Sequence, residues 1–251
     1  MKHWIIVAAA VGLVGPAYAF DWNGALKSVL GSPPPQQPAT KTTNVDTLST
    51  ADINAGLKEA LTRGAEGAVA QLGRQDGFFG NPELKIPLPP RLKKAEKTMR
   101  MIGMGPQADA LVLSMNRAAE AAVPEAKTLL VGAVKEMTLE DARGILTGGQ
   151  TAATDFFRRK TEEKLTGRFL PIVKDSTDKV GLAQQYNHYA GMAARYNLIE
   201  KDYANIEQYV TQQALDRLYR VIGENEAAIR ANPLQAGSAL LKKVFGAVMG
   251  N

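Results

Sequence analysis

Asp109, Asn116 and Glu120, with Arg117 beside them, are the residues best spaced for chemistry in this chain. They lie in PQADALVLSMNRAAEAAV, residues 106–123, whose other positions are mostly leucine, valine, methionine and alanine. At about 100° per residue they form one narrow polar stripe on an otherwise apolar helix. A helix that is apolar round most of its circumference belongs at the centre of a fold. A carboxylate carried inward must then be hydrogen-bonded or face a cavity, because an unpaired buried charge is costly. The stripe reads in two ways. Asn116, Arg117 and Glu120 line a polar ligand pocket, joined by Asp141 and Thr154 from the starts of the following helices. Alternatively it is a solvated side or a structural network, since ion pairs also serve as scaffolding. The catalytic version of the first reading is an envelope hydrolase built on carboxylates and arginine, with Glu120 or Asp141 as acid/base.

Other reaction classes lack their parts. The chain has no cysteine, which removes disulfides, thiolate metal sites, iron–sulfur clusters and a cysteine nucleophile. Of its two histidines, His3 lies in the leader and only His188 lies in the body. There is no G-x-S-x-G elbow. Ser176-Thr-Asp-Lys179 matches S-x-x-K, but no S-D-N or K-T-G accompanies it, so it reads as a solvated helix face. No Glu-Ser pair suits a helical transglycosylase, and no H-E-x-x-H, calcium loop, phosphate loop or dinucleotide fingerprint occurs. No cofactor and no metal are expected. The favoured expectation is a non-catalytic binding or interaction domain for a partner or an amphipathic ligand.

Two surfaces are candidates for partners. Every tyrosine after Tyr18 lies between residues 186 and 219, and Tyr186, Tyr189 and Tyr196 share one helix face. A tyrosine ring with a polar tip suits glycans, lipids or protein surfaces, although the same spacing also builds a core with hydroxyls at its rim. Arg91, Lys93, Lys94, Lys97 and Arg100 form a basic helix opposed only by Glu96. It implies at most a peripheral contact with anionic membrane, or a solvated face. Nucleic acid is not expected as a partner of an exported chain.

The elements that must position these groups are helices. The chain has 251 residues, 45% of them hydrophobic and 22% charged, with net charge +5. That is too apolar for disorder and long enough for one sizeable core. Residues 1–19 read as a signal peptide: Met1-Lys2-His3, the apolar run WIIVAAAVGLV, and Ala17-Tyr18-Ala19 as cleavage site. The expected location is the bacterial periplasm, or secretion beyond it. Residues 20–47 read as an amphipathic arm with Trp22 and Leu26, a candidate docking peptide, followed by the proline-rich tether GSPPPQQPATKTTNVDT. Residues 48–248 read as a single all-α domain of about eight to ten helices.

Several boundaries are legible within that body. Ser49 to Asp52 forms a capping box, with Leu48 and Ile53 as its staple, and Gly73 is a stop. Residues 74–90 are non-helical, with Leu84, Ile86 and Leu88 alternating along an extended segment that lies on the core. Pro90 opens a helix whose inner face carries Leu92, Ala95, Met99 and Ile102. Thr138 to Asp141 opens another, ended by Gly148-Gly149. A long helix after Thr151 is expected to break near Gly167 and Pro171, and Thr211 to cap a helix running to Arg230. The last run places Leu240, Leu241, Val244, Phe245 and Val248 on one side.

The strings INAGLKEAL, QDGFFGNPELKIPLP, SMNRAAEAAVPEAK, EMTLEDARGILTGG, AATDFF, YVTQQALDRLY and LLKKVFG occur in this order. Over roughly residues 48–246 the chain thereby resembles the bacterial domain-of-unknown-function 4197 family. The resemblance implies an exported, predominantly helical protein and carries over no catalytic residue. Arg217 stands where similar sequences have glycine, and Glu224-Asn225-Glu226 replaces the paired acids usual there.

Overall fold

The computed structural model describes residues 50–195, 203 and 205–231. The signal segment, the Trp22–Leu26 arm, the tether, Leu48, Ser49, Tyr196 and the 240–248 run lie outside the described residues. The described chain is all-α, and no strand occurs in it. Helix α1 is Thr50–Leu72, and the loop of residues 73–89 leads to α2, Pro90–Met101. Then come α3, Gly105–Ala122, a 3-10 turn at Val123–Glu125, and α4, Ala126–Lys135. Helices α5, Leu139–Thr147, α6, Ala152–Thr177, α7, Gly181–Arg195, and α8, Ile206–Ala231, complete the order.

The centre is formed around α6, which packs most extensively on α8 and on α3. Helix α3 buries Leu111 and Met115 along with Ala108, Ala118, Ala119 and Ala122. Those small side chains let its neighbours approach closely. Helix α6 contributes Phe156, Phe157, Leu165 and Phe169, and α8 contributes Leu215, Leu218, Tyr219 and Ile222. Helix α1 packs on α4 and α8, α2 on α3, and α7 on α3 and α8. None of the described helices is long and apolar enough to cross a membrane.

Local chemistry sets most boundaries. Pro90 occupies the first turn of α2, where its missing N–H costs nothing. Thr138 and Asp141 form the reciprocal capping box at α5. Three expectations differ in the structure. Helix α6 runs unbroken through Pro171, because Pro171 and Gly167 both lie on its exposed side, away from the packed core. Helix α8 begins five residues before Thr211, at Ile206: the Asn205 side chain accepts the Gln208 N–H, and Asn187 of α7 accepts the Ile206 N–H. Ala95 and Ile102 are exposed, because α2 is peripheral and turns only Leu92 and Met99 toward the core.

Candidate functional site

The Asn116–Glu120 part of the α3 stripe lies at the edge of its buried face, and the 73–89 loop covers it. Asp76 takes a left-handed backbone with φ of 63°, and a Cβ on the next residue, Gly77, would fall 2.5 Å from the Leu72 carbonyl oxygen. Glycine there lets the loop double back under the end of α1. The N–H groups of Phe78 and Phe79, each 3.1 Å away, then donate to Oε1 of Glu120. Oε2 accepts from Arg117 at 2.6 Å, and Arg117 also holds Asp76 at 2.8 Å. Glu120 is 4% exposed and spends both oxygens on these partners.

Asn116 performs the same task further along. Its Oδ1 accepts the Ile86 N–H at 2.8 Å, and its Nδ2 donates to the Ile86 carbonyl at 2.9 Å and to Val112 at 2.7 Å. One amide thereby replaces the strand partner that the extended segment lacks. Leu84, Ile86 and Leu88 point into the core from that segment. Arg217 donates to the Lys85 carbonyl and the Tyr209 hydroxyl to the Pro87 carbonyl, so α8 grips the other edge. Burial lowers the Arg217 pKa and pushes the Tyr209 hydroxyl up to about 12. Arg217 is here a strap across the loop.

Asp141 and Thr154 join other partners. Asp141 accepts from the Thr138 N–H and hydroxyl, which hold its carboxyl below the usual range. Thr154 donates its N–H and hydroxyl to Glu226 of α8, which also accepts the Ala153 N–H and pairs with Arg230 at 2.8 Å. Glu226 is the remote N-cap of α6. Asp109 lies outside, on Arg100 of α2 at 2.6 Å. Ser176 of the S-x-x-K string donates its hydroxyl to the Ile172 carbonyl in its own helix.

An apolar crevice among Leu57, Ala60, Ile145, Phe157, Ile222 and Ile229 has a volume of about 40 Å³. That is room for little more than a water molecule. The larger space is on the flank. An open cleft of about 330 Å³ lies between α2 and α7, with Leu182, Tyr186 and Ala190 as its floor and Leu92 as its wall. Arg91, Gln185 and Tyr189 rim it. The Tyr186 hydroxyl is spent on the Tyr203 carbonyl, whereas Tyr189 is 67% exposed, with His188 edge-on to its ring. A second cleft of about 340 Å³ shares Leu182 and Gln185 and is also lined by Val180, Met104 and Lys179. Among the described residues no group of three histidines or carboxylates is placed to hold a metal ion.

Residues 47–246 match the family described as protein of unknown function DUF4197. The chain belongs to the DUF4197 family. No curated protein and no solved structure matches it. The DUF4197 match spans the loop, the α3 stripe, the α7 cleft and α8. It assigns no chemistry to any of them.

Of the residues singled out from sequence, the structure brings Asn116, Arg117 and Glu120 together under the loop. It sets Asp141 at the start of α5 and Thr154 on Glu226. Tyr186 and Tyr189 share the α7 cleft. Sequence reasoning passed over Leu182 and Gln185, and placed Leu92 only on the inner face of its helix. The signal was present: Leu182, Gln185, Tyr186 and Tyr189 follow the i, i+3, i+4, i+7 spacing of one helix face.

Proposed function

We propose that this DUF4197 chain is a non-catalytic binding domain of the bacterial periplasm, delivered there by its signal peptide. It holds an amphipathic ligand in the α2–α7 cleft. The observation that carries this reading is the cleft itself: an apolar floor of Leu182, Tyr186 and Ala190 under a polar rim of Gln185, Tyr189 and Arg91. Its size falls in the range of small-molecule sites, about 300–1,000 Å³. The adjoining cleft has Lys179 in its lining, so an acyl or aryl body with an anionic group finds complementary surface.

The buried carboxylate of the stripe argues for binding over catalysis. A general acid or base must reach a substrate proton, and Glu120 already spends both oxygens on N–H and guanidinium donors, while Oδ2 of Asp141 is engaged in the Thr138 helix cap.

The test is titration calorimetry of the protein with dodecanoate, an anionic amphiphile. One equivalent binds to the native chain, and Tyr189→Glu, which sets a carboxylate at the rim, abolishes binding without lowering thermal stability. Absence of dodecanoate binding, or unchanged binding in Tyr189→Glu, overturns the assignment.

A further inference from the structure

Helix α2 carries charge on the side away from the cleft. Arg100 is spent: it pairs with Glu96 at 2.8 Å and with Asp109 of α3 at 2.6 Å. This triad fastens the helix to its neighbour and uses the only acid α2 contains. Lys93, Lys94 and Lys97 are exposed and have no anionic partner among the described residues.

Met101 follows Lys94 by seven residues and Lys97 by four, which places it on the same outward face. It is 71% exposed, and Ile102 beside it is 67% exposed. Exposed single apolar side chains are ordinary. This pair is held in place by the corner between α2 and α3. Gly103 has φ of 81°, its N–H donates to the Arg100 carbonyl, and the Met104 N–H donates to the Met99 carbonyl at 2.8 Å. That is a Schellman closure, and it turns Met99 inward while leaving Met101 and Ile102 outward. Both apolar tips thus project from a fixed corner beside three unneutralised ammonium groups.

We propose that this face of α2 is a docking surface for an anionic lipid bilayer. Lys93, Lys94 and Lys97 lie against acidic headgroups, and Met101 and Ile102 enter the interface between headgroup and acyl chain. Charge complementarity selects an acidic surface. The two apolar tips select a bilayer over a soluble polyanion, which gives them nothing to bury against. Attraction to an acidic leaflet is worth about 1 kcal/mol per lysine, or about fivefold in partitioning each. Three lysines therefore give about 100-fold. The surface is separate from the cleft, so either assignment can fail while the other stands.

The test is co-sedimentation of the full chain, as a bacterial host processes it, with vesicles of phosphatidylcholine containing about one-third phosphatidylglycerol. The native chain sediments with these vesicles, remains in the supernatant with pure phosphatidylcholine, and is released by high salt. The triple variant Lys93→Glu/Lys94→Glu/Lys97→Glu loses about 100-fold or more in partitioning. Met101→Ser/Ile102→Ser loses about tenfold while its helical circular dichroism is unchanged. Three results overturn the proposal. One is failure to sediment with acidic vesicles. The second is full binding by the triple variant, which places the contact elsewhere in the chain. The third is full binding by Met101→Ser/Ile102→Ser, which identifies a polyanion site.

Discussion

The 73–89 loop and helix α7 both lie against α3, yet they are held in opposite ways. The loop is fastened by polar groups whose bonding capacity is used up: Glu120 takes two backbone N–H groups and a guanidinium, and Asn116 takes both sides of Ile86. Helix α7 keeps its polar bonds at its ends and edge, where Gln184 reaches the Asp178 carbonyl and Asn187 bridges to Glu207 and Ile206. Its outer face carries the exposed Gln185 and Tyr189 over the buried Leu182, at the open cleft. In this molecule the buried polar groups of α3 spend their bonds on the loop, and the open clefts lie on the half-apolar flank. A charged residue on a central helix is therefore a poor guide to chemistry until its partners are counted.

That contrast can be broken by substitution. Glu120→Ala strands two backbone N–H groups beneath the loop and costs about 3 kcal/mol. Thermal denaturation reads this as a fall of about 6–12 °C. A fall of less than about 2 °C places the loop's support elsewhere. Asn116→Ala loses the paired contacts to Ile86 and costs about 2 kcal/mol, with faster amide exchange at Ile86 as the local signature.

Thr138→Ala removes the cap of α5, for about 1 kcal/mol in urea unfolding. The same contact has a pH signature. Hydrogen bonds from Thr138 depress the Asp141 pKa, so its contribution is complete above the ordinary carboxylate value of about 4. It disappears as pH falls through the lower folded value. The native chain therefore loses more stability on acidification than Thr138→Ala does, and parallel acid limbs contradict this. Smallest is Tyr189→Ser on the open flank. It shifts stability by less than about 0.5 kcal/mol, yet weakens dodecanoate binding in calorimetry.

Much of the fold is legible in the sequence because its signals are local. Helical periodicity gives the all-α class, Pro90 and the Thr138–Asp141 box give two starts, and the alternation of Leu84, Ile86 and Leu88 gives the extended segment on the core. The misses have non-local causes. The start of α8 depends on Asn187, which belongs to another helix. Pro171 is tolerated because tertiary packing turns it to solvent. The α3 stripe is visible as a pattern, but its partners are backbone N–H groups of a glycine-bent loop, and a backbone donor leaves no residue type to read. Glu226 is hidden for the same reason, since it caps a helix that begins far earlier in the chain. The cleft is half legible: the tyrosine spacing marks the face of α7, while its opposite wall, Leu92, requires the packing of α2.

Amide hydrogen exchange with and without dodecanoate separates the two regions most directly. The account predicts slower exchange along residues 182–190 of α7 on adding dodecanoate, with no change at residues 78–86 or along 112–120 of α3. Protection at 78–86 or around Glu120, with α7 unaffected, would contradict it and return the site to the polar stripe.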